Sequence, residues 1–126
     1  ILLHSRDAVL RTGDLSRQRD FLDVRDGVRA MYLALHKGLP GETYNVCSGR
    51  ARSLREAVNL LRRLSRMKIT VRTDRAKMRS NDPARIAGSA AKLRRRTGWR
   101  PQISFAQSLA DALGDTLQEL AGAGQR

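Results

Sequence analysis

Two spacings of apolar residues alternate along this chain, and their alternation constrains the fold more than any other feature. Lys68-Ile69-Thr70-Val71-Arg72 alternates apolar and polar side chains with period 2, the pattern of a half-buried strand. Just before it, Leu54, Ala57, Val58, Leu61 and Leu64 recur at helical spacing, with Arg55, Arg62, Arg63 and Arg66 largely on the other side. That helix has a written start. In Ser53-Leu54-Arg55-Glu56 the Ser hydroxyl can serve the Glu backbone N–H while the Glu reaches back, a capping box. A second box, Ser104-Phe105-Ala106-Gln107, opens a last helix continued by Leu109, Ala112, Leu113, Thr116, Leu117 and Leu120, with a fraying tail over 121–126.

The rest of the chain obeys the same punctuation. Val9-Leu10-Arg11-Thr12 reads as a short strand closed by Gly13-Asp14, and Arg19 to Val24 as a second extended stretch. Asp23 can cap a helix in which Val28, Met31, Tyr32 and Leu35 recur at helical spacing and which stops before Gly38 and Pro40; Asp26 is favourable near its positive terminus. Thr43 to Cys47 is a strand ending at Ser48-Gly49. Residues 73–88 lack a period and read as a loop. Ser89 opens a short basic helix through Arg96, ended by Thr97-Gly98, and Trp99-Arg100-Pro101 is a linker. Strands alternating with helices argue for an α/β fold. No repeat and no boundary interrupts the order, so 1–126 is expected to be one small domain with a single core.

Composition narrows the setting. Apolar residues make up 40% and mean hydropathy is −0.49, as in a soluble globular chain. No apolar run approaches the roughly 18 residues that a membrane span needs. Ile1-Leu2-Leu3-His4-Ser5-Arg6 is neither Met-initiated nor a signal peptide; it reads as entry into a longer chain near the end of a helix. One cysteine, Cys47, fits a reducing cytoplasm and a small buried hydrophobe. Five aromatic residues are few, so Leu, Val and Ala must fill the core.

Net charge is +13, and residues 50–100 hold 17 of the 25 Lys and Arg against three of the 12 acids, Glu56, Asp74 and Asp82. Such a block suits an anionic partner or a solvated basic face. A nucleic-acid module is the rival reading. Against it, the chain has no helix-turn-helix, zinc-finger or RNA-recognition pattern and few aromatics to stack bases.

Catalytic patterns are missing from the sequence. There is no glycine-rich phosphate loop of either nucleotide-binding type and no Cys/His cluster for zinc. Nothing makes His4 and His36 converge on a metal, and Tyr32 and Lys37 are not spaced as a Tyr-x-x-x-Lys relay. Asp20, Asp23 and Asp26 recur every third residue, which suggests either an acid/base cluster or a cap and solvated helix start; the second is expected, since no partner for catalysis is evident. No catalytic residue is therefore assigned.

Four stretches carry a resemblance. Gly13-Asp14-Leu15-Ser16-Arg17-Gln18-Arg19-Asp20-Phe21-Leu22-Asp23-Val24-Arg25-Asp26 resembles the Gly-Asn-Leu-Ser…Arg-Asp-Phe…Asp-Val-Arg-Asp segment of extended short-chain dehydrogenases/reductases, nearest the GDP-mannose 4,6-dehydratases and GDP-4-keto-6-deoxymannose reductases. Tyr44-Asn45-Val46-Cys47-Ser48-Gly49 resembles the strand that follows there. Arg79-Ser80-Asn81-Asp82 resembles the Arg-Pro-Ser-Asp turn, and Lys92-Leu93 with Thr97-Gly98-Trp99-Arg100-Pro101 the closing motif. The match runs in order from Val9 to Leu117.

The resemblance implies a carboxy-terminal, sugar-nucleotide-binding part of a Rossmann-type enzyme. NAD(P) and the catalytic relay would then belong to an amino-terminal half that this chain lacks, and the chain alone would be inactive. It implies that Arg19 and Arg79 bind the diphosphate from opposite sides, a role that the planar guanidinium fork suits. It implies that Leu10, Arg11 and Thr12 lie beside the nucleobase. Asp14 stands where relatives usually have Asn and cannot donate a hydrogen bond as the amide could. The parent is expected to be a homo-oligomer. A diverged, non-catalytic remnant is the alternative. The helix at 24–37 and the strand at 43–47 normally pack on the Rossmann half, so this chain by itself is expected to expose apolar surface there and to self-associate.

Overall fold

The computed structural model describes residues 7–123. The expectations for Ile1 to Arg6, for His4 and for the last residues of the tail lie outside them. The elements are strands β1 (Asp7–Thr12), β2 (Gln18–Asp20), β3 (Ala51–Ser53) and β4 (Lys68–Thr73), and helices α1 (Val24–Lys37), α2 (Leu54–Ser65), α3 (Ala91–Thr97) and α4 (Phe105–Ala123). This is the α/β mixture expected. The backbone resolves into two interleaved compact units: one holds residues up to Arg17, Ser53–Ala84 and Leu109 onward; the other holds Gln18–Arg52 and Arg85–Ser108.

In the first unit β1 and β4 pair in parallel, Ala8 opposite Ile69 and Leu10 opposite Val71. The period-2 reading of β4 holds, with Ile69 and Val71 half-buried between exposed neighbours. The loop between β1 and β2 caps α2. Leu54 N donates to Arg17 O and Arg55 N to Leu15 O, both at 3.0 Å, and Glu56 N donates to Ser53 Oγ at 3.1 Å. Three of the four N–H groups that a helix start leaves without an intrahelical acceptor are thus served. The apolar stripe of α2 is shallower than its spacing suggests: Leu54, Ala57, Val58 and Leu61 are half-buried and Leu64 is exposed. Thr73, expected in the loop, ends β4; residues 74–88 are irregular as expected, apart from a short 3-10 turn, Arg75–Lys77, and a single bridge at Arg85.

In the second unit α1 packs on α3 around Ala30, Leu93 and Trp99, with Leu22, Leu33, Ala34, Tyr44 and Ala90 against them. Asp23 caps α1 by accepting from Arg25 N. Two corrections arise here. Trp99, read as linker, is core: it is 1% exposed, and its Nε1 donates to Asp26 O at 3.0 Å. Asp26, read as part of a solvated helix start, is also 1% exposed, and Asp23 is buried too. Asp26 Oδ2 accepts from Gln102 N and Ile103 N at 2.9 Å, and Oδ1 from Arg29 Nη2 at 2.7 Å. A carboxylate can be buried when both of its oxygens have such donors.

The expected strand at 43–47 does not form. A strand needs a neighbour to pair with, and none of the described strands pairs with it. Its place is held by a side chain instead: Tyr44 packs on the core, and its hydroxyl accepts from Leu39 N at 3.0 Å. Cys47 is half-buried rather than buried. On α1 the residues that recur at helical spacing face solvent: Val28 is 61% exposed, Met31 69%, Tyr32 60% and Leu35 82%. The helix is held through its other side, by Asp26 and Ala30. Among the described residues no helix is long and apolar enough to cross a membrane.

Two outcomes are expected. Asp26→Ala strands two backbone N–H groups, while Arg29 keeps its bond to Arg100 O, so urea denaturation should show a loss of about 2–4 kcal/mol. Leu35→Glu removes apolar surface that folding does not bury. It should leave the unfolding midpoint within about 0.5 kcal/mol of the parent chain's and lower self-association in sedimentation velocity.

Candidate functional site

The residues singled out from the sequence fall into two groups, one in each unit. In the first unit they gather around the end of β1. Leu10 and Arg11 are exposed and Thr12 is half-buried. Thr12 O accepts from Asp74 N at 2.7 Å, and Lys77 Nζ donates to Arg11 O at 3.0 Å. The Thr12 hydroxyl oxygen is buried without a hydrogen-bond partner among the described residues.

The loop that follows β1 is stapled by Asp14. Its Oδ1 accepts from Ser16 N at 2.9 Å and from Ser16 Oγ at 2.5 Å, and its Oδ2 lies 3.0 Å from Arg17 Nε. The Ser16 hydrogen bonds hold the Asp14 carboxyl below its ordinary value. Arg17 Nε also lies 3.9 Å from Asp82 Oδ2. Asp82 closes the turn begun by Arg79, so one guanidinium links the Gly-Asp-Leu-Ser-Arg loop to the Arg-Ser-Asn-Asp turn. Sequence reasoning missed Arg17; its position three residues after Asp14 was the available signal. Arg79 stands exposed at the start of that turn.

In the second unit the three residues of Arg19-Asp20-Phe21 divide the work. Arg19 is half-buried on β2, and its Nη1 donates to Gln18 O at 2.7 Å. Asp20 Oδ1 accepts from Ser48 N at 2.8 Å and Ser48 Oγ at 2.5 Å; Oδ2 accepts from Gly49 N at 2.9 Å and Gly88 N at 3.3 Å. Phe21 packs its ring 5.1 Å from that of Phe105, over which the Arg52 guanidinium lies at 5.0 Å. Gln18 O accepts from Ile86 N at 3.0 Å. Two stretches distant in sequence, Arg-Asp-Phe and Cys-Ser-Gly, are thereby joined through one carboxylate.

The three aspartates spaced every third residue are therefore not an acid/base cluster. Each is committed to separate donors: Asp20 to the 48, 49 and 88 segments, Asp23 to Arg25, Asp26 to Arg29 and to the 102–103 backbone. Burial works against the charge of Asp20 and Asp26, yet hydrogen bonds from Ser48, Gly49 and Gly88 in one case, and from Arg29, Ile103 and Gln102 in the other, hold both carboxyls below the ordinary value. The Arg25 side chain, 2.9 Å away through both Nε and Nη2, lowers Asp23 further. Burial, and then the Asp20 charge, push the Cys47 thiol up, which opposes its ionisation to the nucleophilic thiolate. Among the described residues no three His, Cys, Asp or Glu side chains gather as a metal site.

Comparison with known proteins places this geometry. The family model described as GDP-mannose 4,6 dehydratase matches residues 1–112. A GDP-6-deoxy-D-mannose reductase of Pseudomonas aeruginosa is 41% identical over 106 residues, covering 84% of this chain and 35% of the relative. A dTDP-glucose 4,6-dehydratase of Haemophilus influenzae is 36% identical over 107 residues, covering 77% and 32%. The chain thus spans about a third of the length of these curated relatives. Among solved structures, RMD from Pseudomonas aeruginosa complexed with NADPH aligns with a TM-score of 0.79 at 36% identity, over 90% of this chain and 36% of that one. UDP-glucose 4-epimerase of Thermotoga maritima with UDP-glucose aligns at 0.75 and 25% identity, over 88% and 36%. The fold is the α/β fold of these Rossmann-type enzymes.

The carboxylates set a pH window. Asp20, Asp23 and Asp26 all titrate lower folded than unfolded. Their contribution is therefore complete above the unfolded carboxylate pKa of about 4 and is lost as pH falls through the folded values. Denaturant midpoints should stay level from pH 7 to about 5 and fall steeply below about 4. Asp20→Asn should flatten part of that fall.

Proposed function

Because the chain belongs to the GDP-mannose 4,6 dehydratase family, we propose that it binds the nucleotide diphosphate of a sugar nucleotide, GDP-mannose or its 4-keto-6-deoxy derivative, for NAD(P)-dependent reductase, dehydratase or epimerase chemistry. The observation that carries this reading is the division of labour at β2. Asp20 and Phe21 are engaged with other segments of their unit, and between Gln18 and Asp20 the Arg19 backbone is held on both flanks. A guanidinium on so fixed a backbone suits a planar, doubly charged group. Arg79 is the second diphosphate ligand; its exposure on a turn tied down through Asp82 supports the role. Leu10, Arg11 and Thr12 serve the nucleobase side. Two exposed side chains and a hydroxyl that lacks a partner among the described residues support that assignment, since a buried hydroxyl gains from any ligand group that completes its hydrogen bond.

The relatives' cofactor does not fit the residues at hand. A dinucleotide site is built on a glycine-rich turn from a strand into a helix; the turn after β1 leads into β2 instead and carries the Asp14 carboxylate. A carboxylate opposes phosphate, and no hydride step is assigned to this chain. Its contribution is positioning. Holding the diphosphate fixes the sugar, and orientation of that kind can supply several kcal/mol of a reaction barrier.

Calorimetric titration of GDP-mannose tests the reading. Arg19→Ala and Arg79→Ala should each weaken binding by at least about tenfold, since a charge-assisted hydrogen bond is worth about 1.5–3 kcal/mol. Unchanged affinity in both variants overturns it.

A further inference from the structure

We infer that Asp20 is a positioning residue for Arg19: it clasps β2 to the Ser48-Gly49 and Gly88 segments and so sets where the guanidinium meets the ligand phosphates, an inference that rests on the diphosphate reading of Arg19 above. The clasp is a built arrangement. Three backbone N–H groups and one hydroxyl, drawn from two separate segments, converge on a single carboxylate at 2.5–3.3 Å. Its closeness depends on glycine. A Cβ on Gly88 would lie 2.8 Å from Cys47 Sγ, so any side chain there pushes the Gly88 N–H away from Asp20. Gly49 has φ +79°, the left-handed conformation that side chains disfavour.

Charge supplies a second argument. A carboxylate one residue from a phosphate-binding arginine would repel the ligand if its charge were left open. Here the charge is absorbed by four hydrogen bonds before any ligand arrives. Successive residues of a strand point to opposite faces. Asp20 therefore anchors the strand from one face while Arg19 is presented from the other. The preceding residue is fixed as well: Gln18 O holds Ile86 N, and Gln18 bridges to Arg85 in parallel. The Arg19 backbone is thus pinned through both of its neighbours, Gln18 and Asp20. Removing the clasp leaves the arginine in the chain but loosens the strand that carries it. Misplacements on the scale of 1 Å cost up to about a hundredfold where geometry matters.

The test is a double-mutant cycle on the 126-residue chain, with GDP-mannose titrated calorimetrically against the parent, Arg19→Ala, Asp20→Ala and the pair. Asp20→Ala is expected to weaken binding about tenfold in the parent and to change little in the Arg19→Ala background, because a residue that acts through Arg19 has nothing to position once it is gone. A residue that merely holds the fold would weaken both backgrounds equally, and that additive result overturns the inference, as does Asp20→Ala binding like the parent. If Arg19→Ala itself binds like the parent, the diphosphate role of Arg19 falls and the positioning role falls with it. An intact Arg19 effect with an additive or silent Asp20 instead sinks the positioning role alone. Should Asp20→Ala lose its helical circular dichroism, Asp20→Asn replaces it in the same cycle. Asn can keep the oxygen facing Ser48 and sets an amide donor against Gly49 N and Gly88 N. It should weaken binding several-fold, non-additively with Arg19→Ala, and amide exchange at Gly49 and Gly88 should quicken together.

Discussion

The carboxylate of Asp26 holds two backbone N–H groups and a guanidinium at a point from which water is almost excluded. The second unit depends on it. Gln102 and Ile103 end an irregular run that follows α3, and a buried N–H left without an acceptor costs as much as a lost hydrogen bond. The same residue's carbonyl takes the Trp99 Nε1 proton. One position near the start of α1 thereby fixes the segment leading into α4. The device recurs: Asp14 serves Ser16, Asp20 serves residues 48, 49 and 88, Asp23 serves Arg25, and Asp74 serves Ala76. Much of this chain is neither helix nor strand, and side-chain acceptors replace the ladder that its backbone lacks.

That use of acids bears on the charge. The aspartates are engaged with nearby backbone and with Arg17, Arg25 and Arg29. On α2, Arg55, Arg62 and Arg63 stand exposed, and no described carboxylate lies within ion-pair distance of them. Two arginines on a diphosphate account for little of the +13.

What could be read from the sequence was what local chemistry decides. All four helices were legible because each start or stop is written in a few residues: Asp23 and Ser53 accept the N–H groups that their helices expose, Ser104 accepts from Gln107, and Gly98 closes α3. The β4 alternation was legible for the same reason. The strand at 43–47 was not, because strand formation is decided by a neighbour and not by the segment itself. Trp99 and Asp26 were misjudged together: they are joined by a hydrogen bond across a separation that no local pattern reveals. At the site, the motifs named Arg19 and Arg79, and the Asp20 contacts became visible only when residues 48 and 88 were seen beside it.

Trp99 has an optical consequence. It is the sole tryptophan, and its indole is enclosed by Ala30 and Leu93 with its N–H on a backbone carbonyl. Emission from this chain therefore reports the environment of one unit, while β1, β4 and α2 contribute no tryptophan signal of their own. A fluorescence trace and a far-ultraviolet dichroism trace would sample different populations of backbone, and their coincidence or separation would reveal whether the two units melt as one cooperative body.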